Sequence, residues 1–383
     1  MSVLNADALP RRVDTTIATA LADQRLVGTV VLIARDGEVV HRAVAGHADR
    51  EAGRPMREDS IFRFSSLTKP IVSAAAMALI EAGSLRLDDE LARWIPEFRP
   101  RQPDGKEAAI TVRQLLTHTA GLTYGLFQPA DGPYARHGVS DGLAEPGLSM
   151  ADELARLEAV PLAYVPGSAW GYSLAIDVLG EVLARAAGMS LPDVVAQKVT
   201  GPLGMRDTSF EVRDRARLAV AYADARPPRL MRDPDVVPFG DGAGIKFSPA
   251  RVFDPASFAS GGAGLAGTAG DFLTFLETIR RGGAPILSRA STEAMTANQI
   301  GSLRITTEET PSWGFGFGGA VLMDRELAGV PQENGTWKWG GVYGHHWYVD
   351  KTNRLTVIAL TNTAIEGMAG SFVAELQRAV YGH

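Results

Sequence analysis

The sequence contains no cysteine. Disulfides, thiolate metal sites and cysteine nucleophiles are therefore excluded together. It also lacks an uninterrupted apolar run of about 18 residues, the length that indicates a membrane-spanning helix. No concentrated basic segment occurs, and the net charge is −6 over 383 residues. Nucleic acids and anionic membranes attract concentrated positive charge, so neither is an expected partner.

The first residues do not resemble a signal peptide. Positions 1–14 contain the charged residues Asp7, Arg11, Arg12 and Asp14 and no apolar stretch of signal-peptide length, so we expect a cytoplasmic protein. The composition is 45% hydrophobic and 21% charged, as in ordinary globular proteins. The length allows two domains, or one domain with a large insertion.

Metal and dinucleotide sites have little support. No two of the seven histidines are four residues apart. His345 and His346 are adjacent on a predicted strand, so their side chains point to opposite faces and cannot chelate one ion. The glycine pattern of residues 262–267 resembles a dinucleotide-binding loop, but no strong strand precedes it, and close backbone packing is the better interpretation. We therefore expect no metal and no cofactor.

Hydrophobic periodicity and turn residues predict helices and strands near both ends of the chain. Asp36-Gly37 between two β-branched runs predicts a hairpin, because glycine tolerates the positive φ of a tight turn. Gly83 is expected to end the helix that contains Ser66. The predicted elements are a helix over 13–24, strands over 28–34 and 38–45, a helix from 66 to about 82, strands over 313–322, 344–349 and 355–362, and a helix over 368–381.

The middle of the chain has a different residue pattern from its two ends. Residues 85–250 consist of proline-punctuated loops with helical segments, including 150–158 and 175–187, and few strand-like runs. We expect an α+β fold in which both ends share one antiparallel sheet flanked by helices. In this prediction residues 1–84 and 251–383 form the sheet domain, residues 85–250 form a mostly helical second lobe, and the active site lies between them.

A serine and a lysine lie one helical turn apart in Ser66-Leu67-Thr68-Lys69, directly before the apolar run Ile71 to Ile80. A buried ammonium beside a hydroxyl can lose its proton and activate that hydroxyl as a nucleophile. Of the six lysines, only Lys69 has a serine three residues before it. The spacing predicts acyl-transfer chemistry at Ser66.

Such a site also needs a proton shuttle and donors for the developing oxyanion. Tyr172 lies at a predicted loop-to-helix junction, where its hydroxyl can face a cleft. Trp339-Gly340-Gly341-Val342 leads into a predicted strand, and the paired glycines allow a backbone or a substrate to approach closely. The amides of Val342 and Ser66 are therefore candidates for an oxyanion hole.

Several motifs in a fixed order make the chain similar to the family VIII serine carboxylesterases, which have the β-lactamase/penicillin-binding-protein (transpeptidase-like) fold. They extend from about Gly28 to Tyr381 and are more specific together than the Ser-Lys pair alone. The motifs are Phe64-Ser65-Ser66-Leu67-Thr68-Lys69-Pro70, Leu115-Leu116-Thr117-His118-Thr119-Ala120-Gly121-Leu122, Pro166-Gly167-Ser168-Ala169-Trp170-Gly171-Tyr172-Ser173-Leu174, Pro202-Leu203-Gly204-Met205-Arg206-Asp207-Thr208, Gly261-Gly262-Ala263-Gly264 and Trp339-Gly340-Gly341-Val342-Tyr343-Gly344-His345.

The resemblance implies a role for each matching position. Ser66 is implied to be the acylated nucleophile, Lys69 its neighbouring base and Tyr172 the proton shuttle. The amides of Ser66 and Val342 match the family's oxyanion hole. The positions that are expected to line the substrate site are Tyr124, Leu174, Trp339, Gly340 and Gly341. His118 is expected to have a structural role, bonding loop backbone.

Two positions depart from the β-lactamase pattern. Leu174 and Trp339 stand where β-lactamases carry an asparagine and a lysine that contact the polar parts of a lactam substrate. An apolar site favours uncharged esters, so we expect a carboxylesterase acting on small-molecule, short-chain esters. The alternatives are a β-lactamase or D-alanyl-D-alanine peptidase, a small-molecule acyltransferase, and a non-catalytic acyl-ligand sensor. The sequence does not indicate an oligomeric state.

Overall fold

An eight-stranded antiparallel sheet joins the two ends of the chain in the computed structural model, which describes residues 8–308 and 311–382. The strands of the described residues are β1 (Gly28–Arg35), β2 (Glu38–Asp49), β3 (Arg54–Pro55), β4 (Phe62–Arg63), β5 (Tyr222–Ala223), β6 (Arg229–Leu230), β7 (Asp235–Val237), β8 (Ile245–Phe247), β9 (Ala266–Gly267), β10 (Trp313–Phe315), β11 (Ala320–Leu322), β12 (Trp337–Gly341), β13 (His345–Asp350) and β14 (Leu355–Thr361). The strand order of the eight-stranded sheet is β10-β11-β12-β13-β14-β1-β2-β3.

Helices cover both faces of this sheet and make up much of the middle of the chain. They are α1 (Leu9–Ala22), α2 (Thr68–Glu81), α3 (Leu91–Trp94), α4 (Val112–Leu116), α5 (Pro133–His137), α6 (Met150–Glu158), α7 (Ala175–Ala187), α8 (Leu191–Val195), α9 (Ala269–Arg280), α10 (Arg289–Met295), α11 (Arg325–Ala328), α12 (Glu366–Ala369) and α13 (Ser371–Tyr381). Short 3₁₀ turns include Ser65–Leu67 and Gly125–Phe127.

Strand β1 lies near the centre of the sheet and is buried on both faces. Val31 and Ile33 pack in one cluster with α1 and α13, whereas Val30 and Leu32 pack in another with α2 and α9. This division follows from the alternation of side chains along a strand. The sheet therefore holds α2, and the 3₁₀ turn Ser65–Leu67 before it, against its second face.

The predicted α+β class with an antiparallel sheet shared by both ends is confirmed. The predicted hairpin is present, with positive φ at both Asp36 and Gly37. Helices α6 and α7 have the predicted bounds. Helix α1 begins earlier than predicted, at Leu9, because Pro10 occupies its first turn, where proline is tolerated.

One strand prediction was wrong in detail. Residues 313–322 form the two strands β10 and β11, because the chain reverses at the glycines between them, where Gly318 has a φ of +93°. The middle of the chain contains α3 to α8 and the two short hairpins β5-β6 and β7-β8. The division into two lobes at residues 84/85 and 250/251 stays a prediction. Among the described residues, no helix is both long enough and apolar enough to span a bilayer.

Candidate active site

Ser66 lies in the 3₁₀ turn that leads directly into α2. The residue before it, Ser65, has a φ of +45°, a left-handed conformation that costs energy for a side chain other than glycine. This bend presents the Ser66 hydroxyl beside the start of the helix. Pro70 follows without disturbing α2, because the first backbone donors of a helix have no partner within it.

Lys69 is fully buried one helical turn after Ser66. Its Nζ donates to Ser66 Oγ at 3.2 Å and to the carbonyl oxygen of Gly262 at 2.9 Å. Within the described residues it has no carboxylate partner at ion-pair distance. The amine is thus held against the serine by a backbone carbonyl rather than by a salt bridge.

Tyr172 reaches the same hydroxyl from another part of the chain. Its Oη donates to Ser66 Oγ at 2.7 Å and accepts a hydrogen bond from Trp339 Nε1 at 3.1 Å. Lys69 Nζ lies 4.7 Å from the centre of its ring. The structure therefore brings together Ser66 and Lys69 before and in α2, Tyr172 before α7, and Trp339 in β12.

The two candidate oxyanion donors lie at neighbouring pieces of backbone. Within the described residues, neither the Ser66 amide nor the Val342 amide donates a hydrogen bond to another protein group. A Cβ on Gly341 would lie 2.6 Å from Phe64 O and 2.6 Å from Ser65 Oγ. Only glycine permits this approach, which places the end of β12 against the 3₁₀ turn that contains Ser66.

The other predicted substrate positions differ in their surroundings. Tyr124 is buried, with its ring centre 5.1 Å from that of Tyr172, and burial raises the pKa of its phenol well above the usual range. Gly340 packs against Met368. Leu174 is fully buried in the main core. A contact between Leu174 and substrate therefore stays a prediction that the placement of its side chain does not support.

An aromatic cluster forms one side of the site. The ring of His118 lies 5.0 Å from Tyr172 and 5.4 Å from Phe315, while Trp339 lies 5.0 Å from Tyr172. His118 is fully buried, and burial together with the charge of Lys69 holds the pKa of its imidazole well below the usual range. Its side chain contacts the Ser173 hydroxyl at 3.1 Å, where we expected a bond to backbone. A neutral imidazole that does not reach Ser66 is not suited to act as its base.

Two carboxylates near the site, the half-buried Asp141 and the buried Asp177, were not anticipated from the sequence. Asp141 accepts hydrogen bonds from the amides of Gly125 and Leu126, and so holds the 3₁₀ turn next to Tyr124; burial raises its pKa to about 6. Asp177 lies in the first turn of α7. The signal for Asp177 was an acidic residue within the apolar pattern of a predicted core helix, whereas nothing in the sequence around Asp141 distinguishes it from a loop residue.

The arrangement is suited to acyl transfer. A hydroxyl that both an amine and a phenol reach can be deprotonated, and two free amides can stabilise the negative charge that follows nucleophilic attack. Among residues 8–308 and 311–382, no group of three histidine, aspartate or glutamate side chains is arranged to hold a metal ion.

Comparisons with known proteins agree with this geometry. The Beta-lactamase family model matches residues 13–381. Esterase EstB of Burkholderia gladioli is 48% identical over 381 residues, which cover 99% of this chain and 96% of that protein. The solved structure of EstCE1, described as a hydrolase with promiscuous acyltransferase activity, has a TM-score of 0.94 at 46% identity and covers 98% of this chain and 99% of its own. Unliganded simvastatin synthase from Aspergillus terreus, at 19% identity, a TM-score of 0.71 and 98% coverage of each chain, shares the fold alone.

Proposed function

The chain belongs to the Beta-lactamase family, and we propose that it is a serine carboxylesterase that hydrolyses short-chain, uncharged carboxylic esters through an acyl-enzyme on Ser66. The observation that carries the proposal is that Lys69 Nζ and Tyr172 Oη both lie within hydrogen-bond distance of Ser66 Oγ. The 48% identity to an esterase over nearly the whole chain supports ester hydrolysis in particular.

Acylation begins at the Ser66 hydroxyl. Lys69 and Tyr172 together take its proton as the oxygen bonds to the ester carbonyl carbon. The carbonyl oxygen becomes an oxyanion, to which the amides of Ser66 and Val342 donate. The bond to the alcohol oxygen then breaks, Tyr172 returns the proton to the leaving alkoxide, and the acyl group remains on Ser66.

Deacylation repeats these steps with water. The same pair takes a proton from water as the water oxygen attacks the acyl carbon, and the two amides hold the second oxyanion. The carboxylic acid leaves when its bond to Ser66 Oγ breaks, and that oxygen regains a proton from the pair. Where deacylation is the slower step, the first turnover appears as a burst of alcohol.

The side chains around the nucleophile favour an uncharged acyl donor. Trp339 occupies the position where the sequence comparison places a lysine in β-lactamases. The aromatic rings of Tyr124 and Tyr172 face each other beside Ser66. Phe127 is 46% exposed, and its ring centre lies 6.5 Å from that of Tyr172, so it adds an apolar group at the solvent side. A carboxylate on the substrate would lose hydration against these groups without gaining a dedicated cation.

The proposal also covers the subfamily, the cellular location and the partners of the protein. The departures at Leu174 and Trp339 support placement among the family VIII esterases within the larger family. The cytoplasmic location and the absence of nucleic-acid and membrane partners are supported by charge and composition and stay predictions.

The direct test is to replace the nucleophile. Ser66→Ala should lower kcat/KM for a nitrophenyl acetate by at least about 10³-fold, because covalent catalysis is lost. Intact-protein mass spectrometry after treatment with a fluorophosphonate should show one adduct on the wild-type protein, mapped to Ser66, and none on the variant.

Ser73→Ala is the matched control. Ser73 is a buried serine in the same helix, and its hydroxyl has no hydrogen-bond partner among the described residues. This variant should label and turn over like the wild type. Near wild-type hydrolysis by Ser66→Ala, or an adduct on a different serine, would refute the proposal.

Acyl transfer to a small-molecule alcohol is the second candidate, because EstCE1, with a TM-score of 0.94, is described as a hydrolase with promiscuous acyltransferase activity. An alcohol in place of water attacks the same acyl carbon and yields an ester. Adding alcohol acceptors to the hydrolysis assay and measuring the new ester separates the two outcomes. Nitrocefin turnover measured beside nitrophenyl acetate turnover tests the β-lactamase alternative in the same way.

A further inference from the structure

Behind Lys69 lies a buried carboxylate that the acylation steps do not use. Asp177 is 2% exposed and lies in the first turn of α7, five residues after Tyr172. Its Oδ1 accepts from Ser260 Oγ at 2.5 Å and from the Gly262 amide at 3.2 Å. Its Oδ2 has no hydrogen-bond partner among the described residues.

Gly262 lies between this carboxylate and the lysine. Its amide donates to Asp177 Oδ1, and its carbonyl oxygen accepts from Lys69 Nζ. A Cβ at this position would lie 2.4 Å from Asp177 Oδ2 and 3.3 Å from Lys69 Nζ. The unpartnered oxygen and the amine are therefore separated by about 6 Å at most, close enough for strong coupling between buried charges.

The charges of the two groups compensate each other. Lys69 is fully buried without a salt bridge, and a buried ammonium is costly unless an opposite charge lies near it. Burial raises the pKa of Asp177, while Lys69, Ser260 and the Gly262 amide oppose that effect. Both donors on Oδ1, and the positive end of the α7 helix dipole, favour the ionised carboxylate.

We propose that Asp177 is the positioning residue for Lys69: it fixes Gly262, whose carbonyl holds the amine against Ser66, and its negative charge lies close to that buried amine. The inference rests on the proposed function, because it assigns Lys69 a proton-transfer step. It predicts that the acid limb of the pH profile depends on a side chain that touches neither Ser66 nor substrate.

Other ionisable groups face this pair. The ring centres of Tyr172 and Tyr124 lie 4.7 and 5.4 Å from Lys69 Nζ. The charge of Lys69 also helps to lower the pKa of His118. The groups that act on Asp177 from neighbouring elements are Asp141, Glu153, whose pKa burial raises to about 8, and Arg251. All of these groups are retained in the variants described below, so a change in the profile reports on Asp177 itself.

Asp177→Asn removes the charge and keeps an oxygen for the two donors. Without the carboxylate the ammonium is less favoured, so the acid limb of log kcat/KM against pH should move to lower pH by roughly one pH unit or more. The maximal kcat should also fall, because the amide holds Gly262 less firmly. A purely structural role would lower kcat, or the amount of folded protein, without moving the limb.

Asp271→Asn is the matched control. Asp271 also accepts one backbone amide, from Asp207 at 2.9 Å, and one hydroxyl, from Thr208 at 3.0 Å, but lies in α9 away from Lys69. The acid limb of the pH profile of the Asp271→Asn variant should coincide with that of the wild type. If Asp177→Asn also left the limb in place while remaining folded, the inference would be wrong.

Ser260→Ala provides the second variant, in case Asp177→Asn does not fold. Loss of the Ser260 hydroxyl weakens the support for the ionised carboxylate, so the limb should move in the same direction by a smaller amount. An unmoved limb in Ser260→Ala overturns the inference. All profiles are measured beside wild-type hydrolysis and fluorophosphonate labelling at Ser66, whose failure would count against the proposed function rather than against Asp177.

Discussion

At the scale of single residues, the orientation of Tyr172 depends on two polar contacts. Its hydroxyl donates to Ser66 Oγ and accepts from Trp339 Nε1. The phenol is therefore fixed with its proton directed at Ser66 Oγ, which is the geometry that the proposed proton shuttle needs. Trp339 thus combines an apolar surface with one hydrogen bond at a position where a lysine would bring charge.

Trp339→Phe keeps an aromatic ring and removes the donor. Losing one neutral hydrogen bond is worth about 1 kcal/mol, so kcat for a short-chain ester should fall roughly three- to tenfold as Tyr172 becomes less well oriented. Steady-state kinetics with nitrophenyl acetate measure this. Trp337→Phe, two residues earlier on β12, removes an indole nitrogen that has no partner among the described residues and should leave kcat unchanged. Equal effects of the two changes on kcat would contradict the orienting role of Trp339.

Some features of single residues at the site could be predicted from the sequence, and others could not. The pairing of Ser66 with Lys69 was predictable because both lie on one helical turn, and helix geometry fixes their separation. The positive φ of Ser65 was not, because serine has no strong preference for that conformation and the strand packed against it supplies the constraint. The placement of Asp177 behind Lys69 depends on how α2, α7 and the loop containing Gly262 pack together, which no local pattern encodes.

Among the secondary-structure elements, the close approach of β12 to the 3₁₀ turn Ser65–Leu67 shapes the candidate site. Gly341 is in contact distance of Phe64 and Ser65, and the Val342 amide follows directly. A strand that moved away by a few tenths of an ångström would shift one oxyanion donor relative to the other, and such donors act over a narrow range of distances. The glycine is therefore needed for position as well as for space.

Gly341→Ala should reduce kcat by at least about tenfold, because its Cβ would lie 2.6 Å from Phe64 O and force the strand or the turn to move. Ester hydrolysis and thermal unfolding are measured together. Gly270→Ala is the control: it lies in the first turn of α9, and the nearest atom to an added Cβ is 4.0 Å away. That variant should keep both activity and stability. Unchanged kcat in a folded Gly341→Ala protein would show that the site tolerates displacement of β12.

Elements with a strong local signal were predictable to the residue, whereas elements set by turns were not. Helices α6 and α7 matched because clear apolar periodicity and, in α6, the Ser149 cap define them. The run from Trp313 to Leu322 contains four glycines among apolar residues, so hydrophobicity alone did not reveal the reversal at Gly318. The separation of β10 from β11 requires knowledge of the neighbouring strand, β12.

At the scale of the whole molecule, the first and last parts of the chain complete one core. Strand β1 pairs with β14 from Thr29 opposite Thr361 to Arg35 opposite Leu355, and α1 packs beside α13 on the outer face. The sequence predicted that both ends contribute strands, but not this register, because several apolar strands offer equivalent alternation. The site therefore rests on a sheet that is complete only when residues more than 300 positions apart have met.

Arg25 connects these two parts and provides the last prediction. It is 7% exposed and donates to Glu366, which is 8% exposed, and to Glu375 in α13. Arg25→Met should lower the free energy of unfolding by about 3 kcal/mol, because it leaves the Glu366 carboxylate buried without its partner. Urea unfolding measures this change, and kcat at low temperature should stay at the wild-type value, since Arg25 does not contact the site. Arg42→Met, which removes a pair that is 55% and 53% exposed, should cost less than about 1 kcal/mol. If Arg25→Met lowers the free energy of unfolding by no more than Arg42→Met does, then packing of α1 against α13, rather than the buried ion pair, holds the two ends together.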